Sequence, residues 1–492
     1  MTPSELADYF LSSGSTIKEP GREAKLTGAT VAMMARHLKE SSTPDRLPLL
    51  AISLPLGIDH FSALLAAWSA GYAITIIGQR WTSREVSNFC KITSPTVIVC
   101  RSTDSRFGDQ SSTLSIGGIT VHECHPRPHS LQSLLPTDVW LASSSGSTGE
   151  PKAAVLPGTA VTHNAVEVAK YLQITTEDRV LVFTPPHFTY ANNQAFSAFT
   201  AGANVALWPH GLVSPRSLSD YTRSSHITGI SANPSAFEMW LANDAVISEE
   251  VRYIVSGGQP LIGALVSRIN AAFPNADILN GYGCTENVNR ITFAHVAQDL
   301  GPDEVASVGY PIAGVEVKIA ASGEIVLSGQ SLMRGYLDYL ESGRPTITAY
   351  PTGDVGEFAS DGSLSLIGRI KTQLNVGNEM VSPEEVESVV SAIQGVRSCA
   401  AGPVQDPILG EVVGLLCVME NYEDRLMISR LIKSAFNQTL ARAKRPRYCH
   451  YTADQSAIPR TEYGKIDRVA LKAIFTRIFD KAESHEQFSE NF

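Results

Sequence analysis

Ser143-Ser-Ser-Gly-Ser-Thr-Gly-Glu-Pro-Lys152 decides how this chain is read: seven small residues in a row follow the apolar run Val139–Ala142, and a lysine closes the stretch. Glycine lets backbone N–H groups come close to an anion, and the hydroxyls of Ser144, Ser145, Ser147 and Thr148 add donors, so the run suits a polyphosphate with Lys152 beside it. A flexible Ser/Gly linker has the same composition, but a linker does not need the Glu-Pro-Lys and strand-like run that follow. A Walker loop is excluded, because G-x-x-x-x-G-K-[ST] occurs nowhere in the chain.

Outward from this stretch, short apolar runs alternate with helix-like segments. Strands are expected at Leu49–Leu54, Tyr72–Ile77, Thr96–Cys100, Val180–Thr184, Ala203–Trp208, Gly229–Ser231 and Asp277–Asn280. Helices are expected over about 59–70, 83–90, 191–200, 217–224 and 261–273. That alternation indicates βαβ units and an α/β fold with mostly parallel sheets. After about residue 305 the texture turns to short antiparallel strands, at Val315–Ile319, Gly323–Ser328 and Gly353–Ile367, forming a β-rich lobe. From Pro383 a smaller α+β unit follows, with helices to Ile393 and over 424–441 and strands at 396–402, 412–420 and 448–452. A chain of 492 residues exceeds what one core serves. The expected division is a large N-terminal domain, 1–367, and a small C-terminal lid, 368–492, joined at Gly368-Arg-Ile-Lys371.

Composition narrows the function classes. Net charge is −10 with a pI near 5.7, which argues against nucleic-acid binding. Seven scattered cysteines without a CxxC pair suit reduced thiols rather than a zinc site or a disulfide framework. The first residues lack a basic region followed by an apolar core, and the apolar stretch 61–77 is broken by Ser69 and Gly71. No membrane partner and a cytoplasmic location are therefore expected.

Ser144–Lys152 resembles the signature loop of the acyl-adenylate-forming (AMP-binding) superfamily, and the chain as a whole resembles the acyl- and aryl-CoA ligases within it. Further motifs follow in the order of that family: Ser256-Gly-Gly-Gln-Pro-Leu261, Asn280-Gly-Tyr-Gly-Cys-Thr-Glu-Asn287, Pro351-Thr-Gly-Asp-Val-Gly-Glu-Phe358, Gly368-Arg-Ile-Lys371, Val381-Ser-Pro-Glu-Glu-Val-Glu387 and Pro459-Arg-Thr-Glu-Tyr-Gly-Lys-Ile-Asp-Arg468. The resemblance implies ATP and Mg2+ at one site and coenzyme A as the thiol acceptor of a carboxylic acid. It places Ser144, Ser145, Gly146, Ser147, Thr148, Gly149 and Lys152 on the phosphates. Gly257, Gly258, Gln259, Pro260, Asn280, Gly281, Tyr282 and Gly283 border the nucleotide, with Tyr282 against adenine. Thr285 lies on the α-phosphate, and Glu286 with Thr148 on the metal. Asp354 clamps the ribose hydroxyls, Ile367 and Arg369 complete the nucleotide site, and Lys371 is the hinge. Lys465 supplies the cation that catalyses the first half-reaction.

For the acid, the resemblance implicates Pro186-His187-Phe188-Thr-Tyr-Ala-Asn-Asn-Gln194. His187 is taken as catalytic and, with Phe188 and Asn192, as pocket wall; a plain aromatic core reading stays open for the first two. Asn233, Gly257 and Gly281 are the remaining acid-site candidates. Residues 187–194 hold no acid, where amino-acid-activating relatives carry an Asp for the ammonium, so an uncharged acyl or aryl acid is favoured. Gln259, Asn375 and Asn378 depart from the common pattern; Gln259 is expected to have little consequence, while the loop 374–380 with its two asparagines bears on the thioester-forming step that the resemblance implies. Two alternatives remain: a ligase that loads the phosphopantetheine arm of a separate carrier protein, and a catalytically silent binder of nucleotide or acyl ligand. The identity of the acid and the oligomeric state are not legible.

Overall fold

The computed structural model describes all residues except 26–28, 41–46, 108–111, 117, 125–131, 146–150, 213, 242–246, 299, 303, 371–373, 377–378, 407–409, 441–443, 461–465 and 480–492. Two large mixed sheets organise the first three hundred residues. In the nine-stranded sheet, five strands run parallel in the spatial order Asp277–Tyr282, Tyr253–Gly257, Gly229–Ala232, Arg179–Val182, Asn204–Leu207. Helices Thr189–Thr200, Pro215–Ser224, Pro234–Trp240 and Gly263–Ala272 separate them in sequence. Antiparallel strands Thr292–His295 and Tyr310–Pro311 close one edge. The expected α/β architecture with mostly parallel central strands is what forms.

The eight-stranded sheet runs Gly335–Tyr336, Pro151–Pro157, Asp138–Ser145, Ala73–Ile76, Leu49–Ser53, Val97–Arg101, Ile119–Glu123, Ser112–Ile116. The stretch that opened the sequence reading straddles a hairpin of this sheet, with Ser144 opposite Lys152 and Ser145 opposite Pro151. Between the two sheets lies an aromatic core in which Phe10 stacks on Phe196 at 5.0 Å and Trp68 lies 5.4 Å from Phe196. Burying each such ring contributes roughly 1.5–3 kcal/mol. Strands Val315–Ile319, Glu324–Gly329, Tyr350–Phe358 and Leu364–Arg369 make the expected antiparallel lobe.

The last hundred residues build cores of their own. Strands Val396–Asp406, Gly410–Met419 and Tyr448–Thr452 form a sheet with helices Pro383–Ser391 and Arg425–Thr439 on one face and Arg468–Phe479 on the other. The two clusters so formed, one around Val386, Leu415 and Ile432 and one around Leu416, Leu471 and Phe475, hold no residue before Leu374. Among the described residues no helix is long and apolar enough to cross a membrane.

Candidate active site

Open parallel sheets bind ligands at the carboxyl ends of their strands, and the sequence candidates gather there. His187 and Phe188 follow Arg179–Val182, Asn233 follows Gly229–Ala232, Gly257 ends Tyr253–Gly257, and Tyr282 ends Asp277–Tyr282. These four strands are consecutive neighbours in the sheet. Gly257 and Gly281 are cross-strand partners, and a Cβ on Gly257 would sit 2.6 Å from the Gly281 carbonyl oxygen, so the pairing requires glycine. Gly283 is fixed more firmly still: its Cβ would lie 1.2 Å from the carbonyl oxygen of Asn289.

Tyr282 and Asp354 form one polar centre. The Tyr282 hydroxyl donates to Asp354 Oδ2 at 2.6 Å, and Arg369, its cross-strand partner, donates through Nε to Oδ1 at 2.6 Å. Asp354 is buried, while the Arg369 side chain is 61% exposed. A carboxylate offers about four acceptor sites, and two are in use, which leaves capacity for two further hydroxyl donors. Burial, then the charge of Asp354, holds the Tyr282 phenol well above its ordinary pKa, so it remains a donor. Asn280 donates through Nδ2 to Ala306 O and Ser307 O at 2.9 and 3.0 Å, leaving its buried Oδ1 with no partner among the described residues. Ile367 lies on strand Leu364–Arg369, two residues before Arg369, and is exposed.

Glu286 anchors a second centre. It lies in the 3-10 turn Thr285–Asn287, which packs against both strands of the 144/152 hairpin. Its Oε1 accepts from the Tyr336 hydroxyl at 2.6 Å, and that hydroxyl lies 3.0 Å from Tyr350 Oη. The ammonium of Lys152 stands 4.7 Å above the Tyr336 ring. The two sequence signals thus meet at one tyrosine that sequence reading did not single out, Lys152 over its ring face and Glu286 at its hydroxyl. Burial, with the Glu286 charge second, pushes the Tyr336 phenol up. Among the described residues no group of three His, Cys, Asp or Glu could hold a metal by itself. A single carboxylate is enough for a Mg2+ that also takes phosphate oxygens and waters.

On the acid side, His187 is buried, 6.0 Å from Trp81 and 4.3 Å from Phe188 between ring centres, and burial lowers its pKa to about 4. It is a neutral ring at physiological pH. Asn192 is given a different task from the one expected. It is fully buried, its Oδ1 meets His60 Nε2 at 3.0 Å, and its Nδ2 donates to Pro186 O and Phe188 O. With its amide spent inside the fold, it shapes the turn that presents His187 rather than offering a group to a ligand. Asn233 caps the following helix, its Oδ1 accepting from Ala236 N at 2.8 Å with Pro234 next in line. Gln259 Oε1 accepts from Ser235 N and Oγ, tying the left-handed turn at Gly258 and Pro260 to that helix.

Several candidates, Gly146, Ser147, Thr148, Gly149, Lys371, Asn378 and Lys465, lie outside the described residues, as do the side chains of Ser145 and Asn375. Residues bordering the lysine motif are well tied. Arg460 bridges Ile466, and the Asp467 N–H donates to Pro459 O. Arg468 makes a bidentate pair with Glu387, at 2.6 and 2.9 Å, and a further contact to Glu384 at 3.1 Å. The two C-terminal motifs read from sequence are therefore clasped to each other. Nearby, Lys444 is taken by Glu385 at 2.8 Å and Arg445 by Asn437 and Leu440 O.

The AMP-binding enzyme family matches residues 27–337, and the AMP-binding enzyme C-terminal domain matches residues 385–465. The isonitrile lipopeptide synthase of Streptomyces coeruleorubidus is 26% identical over 502 residues, which cover 95% of this chain and 33% of that protein. The chain thus spans only a small part of that relative's length. A feruloyl-CoA synthase of an Amycolatopsis species is 30% identical over 353 residues, covering 66% of this chain and 67% of its own length. The crystal structure of the anthranilate CoA ligase AuaEII with anthranoyl-AMP superposes with a TM-score of 0.79 at 19% identity, over 96% of this chain and 97% of that one.

Proposed function

The chain belongs to the AMP-binding enzyme family of adenylate-forming ligases, and on that premise we propose that it activates a carboxylic acid as acyl-AMP and passes the acyl group to the thiol of coenzyme A. The observation that carries the reading is the meeting of the 144/152 hairpin with the Glu286 turn, where Lys152 and Glu286 flank Tyr336. A cation and a buried carboxylate at one place, with Ser144 opposite Lys152 on the hairpin, match the needs of a triphosphate with its metal. The unpartnered Asn280 Oδ1 supplies an acceptor for an adenine amino group, and Asp354 retains acceptor sites for ribose hydroxyls.

In this reading a carboxylate oxygen of the acid bonds to the α-phosphorus of ATP as the bond to the β-phosphate bridge breaks, and pyrophosphate leaves with the electron pair. Glu286 and Thr148 would hold Mg2+, which would supply positive charge beside the phosphates. Thr285 donates to the α-phosphate, and Lys465 places a cation where charge builds up. His187, neutral, and Phe188 form the wall between acid and thiol. We place the domain join at Gly368, with residues 1–367 holding both substrates and 368–492 turning about Lys371 to withdraw Lys465 before the thiol attacks the acyl carbonyl and AMP departs.

Acid-dependent pyrophosphate release over aliphatic and aryl acids tests the reading. Lys465→Ala is expected to lower it by about 10²–10³, and undiminished release refutes the role. A second acceptor class, a carrier protein's phosphopantetheine arm, is favoured by the likeness to the isonitrile lipopeptide synthase. Offering coenzyme A and a carrier protein side by side separates the two.

A further inference from the structure

Arg290 is 3% exposed, and its guanidinium makes no hydrogen bond or ion pair among the described residues; its Nε is buried without a partner. Every buried carboxylate in the same set is met: Asp138 by Arg334, Asp178 by Arg252, Glu286 by Tyr336, Asp354 by Arg369 and Tyr282, Asp406 by Arg447. An arginine cannot shed its proton, and the Nε–H of this one is buried without an acceptor. The guanidinium lies over two rings, with Cζ 3.8 Å from the centre of Tyr190 and 5.9 Å from that of Phe293, and neither ring replaces a hydrogen-bond acceptor in its plane.

The backbone drives this side chain inward. Val288 and Asn289 both adopt left-handed conformations, φ 50° and 89°. A β-branched residue there is a true outlier, and such strain persists only where its surroundings impose it. The Asn289 side chain donates to Thr189 Oγ1 at 3.1 Å, and the Arg290 carbonyl accepts from Asn164 Nδ2 at 2.7 Å, which pins the segment on both sides. Arg290 Nη1 lies 3.8 Å from the place a Cβ would take on Gly257.

The neighbours say which ligand it faces. Tyr190 belongs to the helix that follows His187 and Phe188, and its hydroxyl donates to Ala232 O and Val255 O, at the strand ends leading to Asn233 and Gly257. His187, Phe188 and Asn233 are acid-side candidates and Gly257 is a candidate for both ligands, whereas the ribose candidates Asp354 and Arg369 stand on the antiparallel lobe. We propose that Arg290 receives a second carboxylate on the acid, so that the substrate class is acids carrying two carboxylates. This rests on the adenylation reading, and it departs from the uncharged acid that the acid-free stretch 187–194 suggests. One carboxylate reacts at Gly257 and Gly281; the other makes charge-assisted, bidentate hydrogen bonds to the guanidinium.

Calorimetric binding of malonate, succinate, glutarate, adipate and terephthalate, each against its monomethyl ester, tests the assignment on wild type and Arg290→Met, with pyrophosphate release followed in parallel. At least one diacid is expected to bind wild type about 10²-fold more tightly than its ester. Arg290→Met should bring that ratio near one, and Arg290→Lys should restore part of it. Arg290→Gln serves if the Met variant loses its fold. The assignment is overturned if no diacid is preferred or if the Met variant keeps the preference. It is equally overturned if only the KM for ATP rises, which would place the charge on the nucleotide. Diacid-selective binding without pyrophosphate release from any acid upholds Arg290 and refutes adenylation; release with monoacids alone does the reverse.

Discussion

Arg468 and Arg290 are both drawn into the protein, and their surroundings differ in kind. Arg468 is saturated: two carboxylates and the Ala401 carbonyl meet it, and Glu387 also accepts from Ala401 N at 2.7 Å. Arg290 has the rings of Tyr190 and Phe293 and, among the described residues, no anion. A charge answered from within the chain holds the fold; one left unanswered is set for a ligand. Glu286 lies between these cases, held by a tyrosine hydroxyl yet exposing acceptor capacity to the strand ends.

The contrast is open to attack, beginning with its largest expected effect. Glu387→Ala leaves Arg468 without its bidentate partner and should cost about 3–5 kcal/mol, read from the chemical-denaturation midpoint; a loss under 1 kcal/mol would make the clasp ornamental. Next comes acid. Burial lowers His60 and His187 to about 4 from an ordinary 6.5. Their neutral forms are favoured in the fold, so the stability they leave intact above pH 6.5 is lost as pH falls toward 4, by up to about 3 kcal/mol each. Denaturation midpoints between pH 7 and 4 should show this slope, flattened in His60→Gln. Tyr336→Phe removes a hydrogen bond to a charged group and should cost about 1.5–3 kcal/mol. The smallest effect is opposite in sign. Arg290→Met removes a buried charge that nothing in the described chain pairs, and should stabilise by on the order of 1 kcal/mol; a loss of 3 kcal/mol would mean Arg290 is a structural group after all.

Legibility followed how local each signal was. The strand Tyr448–Thr452 is read from its own apolar run and forms with those bounds. The run 353–367 is broken by a turn into Tyr350–Phe358 and Leu364–Arg369, because Asp361 and Gly362 reverse the chain. Helix Gly158–Tyr171 was not legible: it opens Pro-Gly and is rich in Val and Thr, poor helix formers. It forms because Ala160, Val161, Ala165 and Val168 bury one face in the core. Helix Pro3–Leu11 had a readable sign, the Thr2/Glu5 capping box. At the site, glycine-flanked motifs marked the strand ends because their chemistry is contiguous in sequence. Tyr336 and Tyr350 carried no such mark, since they arrive from another sheet edge and another lobe. Arg290 was illegible for a sharper reason: an arginine without a partner is defined by what does not surround it, which only the folded chain reveals.

Titrating Mg2+ while following acid-dependent pyrophosphate release, in wild type and in Glu286→Gln, bears most directly on the meeting of the hairpin and the Glu286 turn. The variant should need at least about 10-fold more Mg2+ and turn over more slowly at saturation. Superimposable Mg2+ curves for the two proteins would contradict the account.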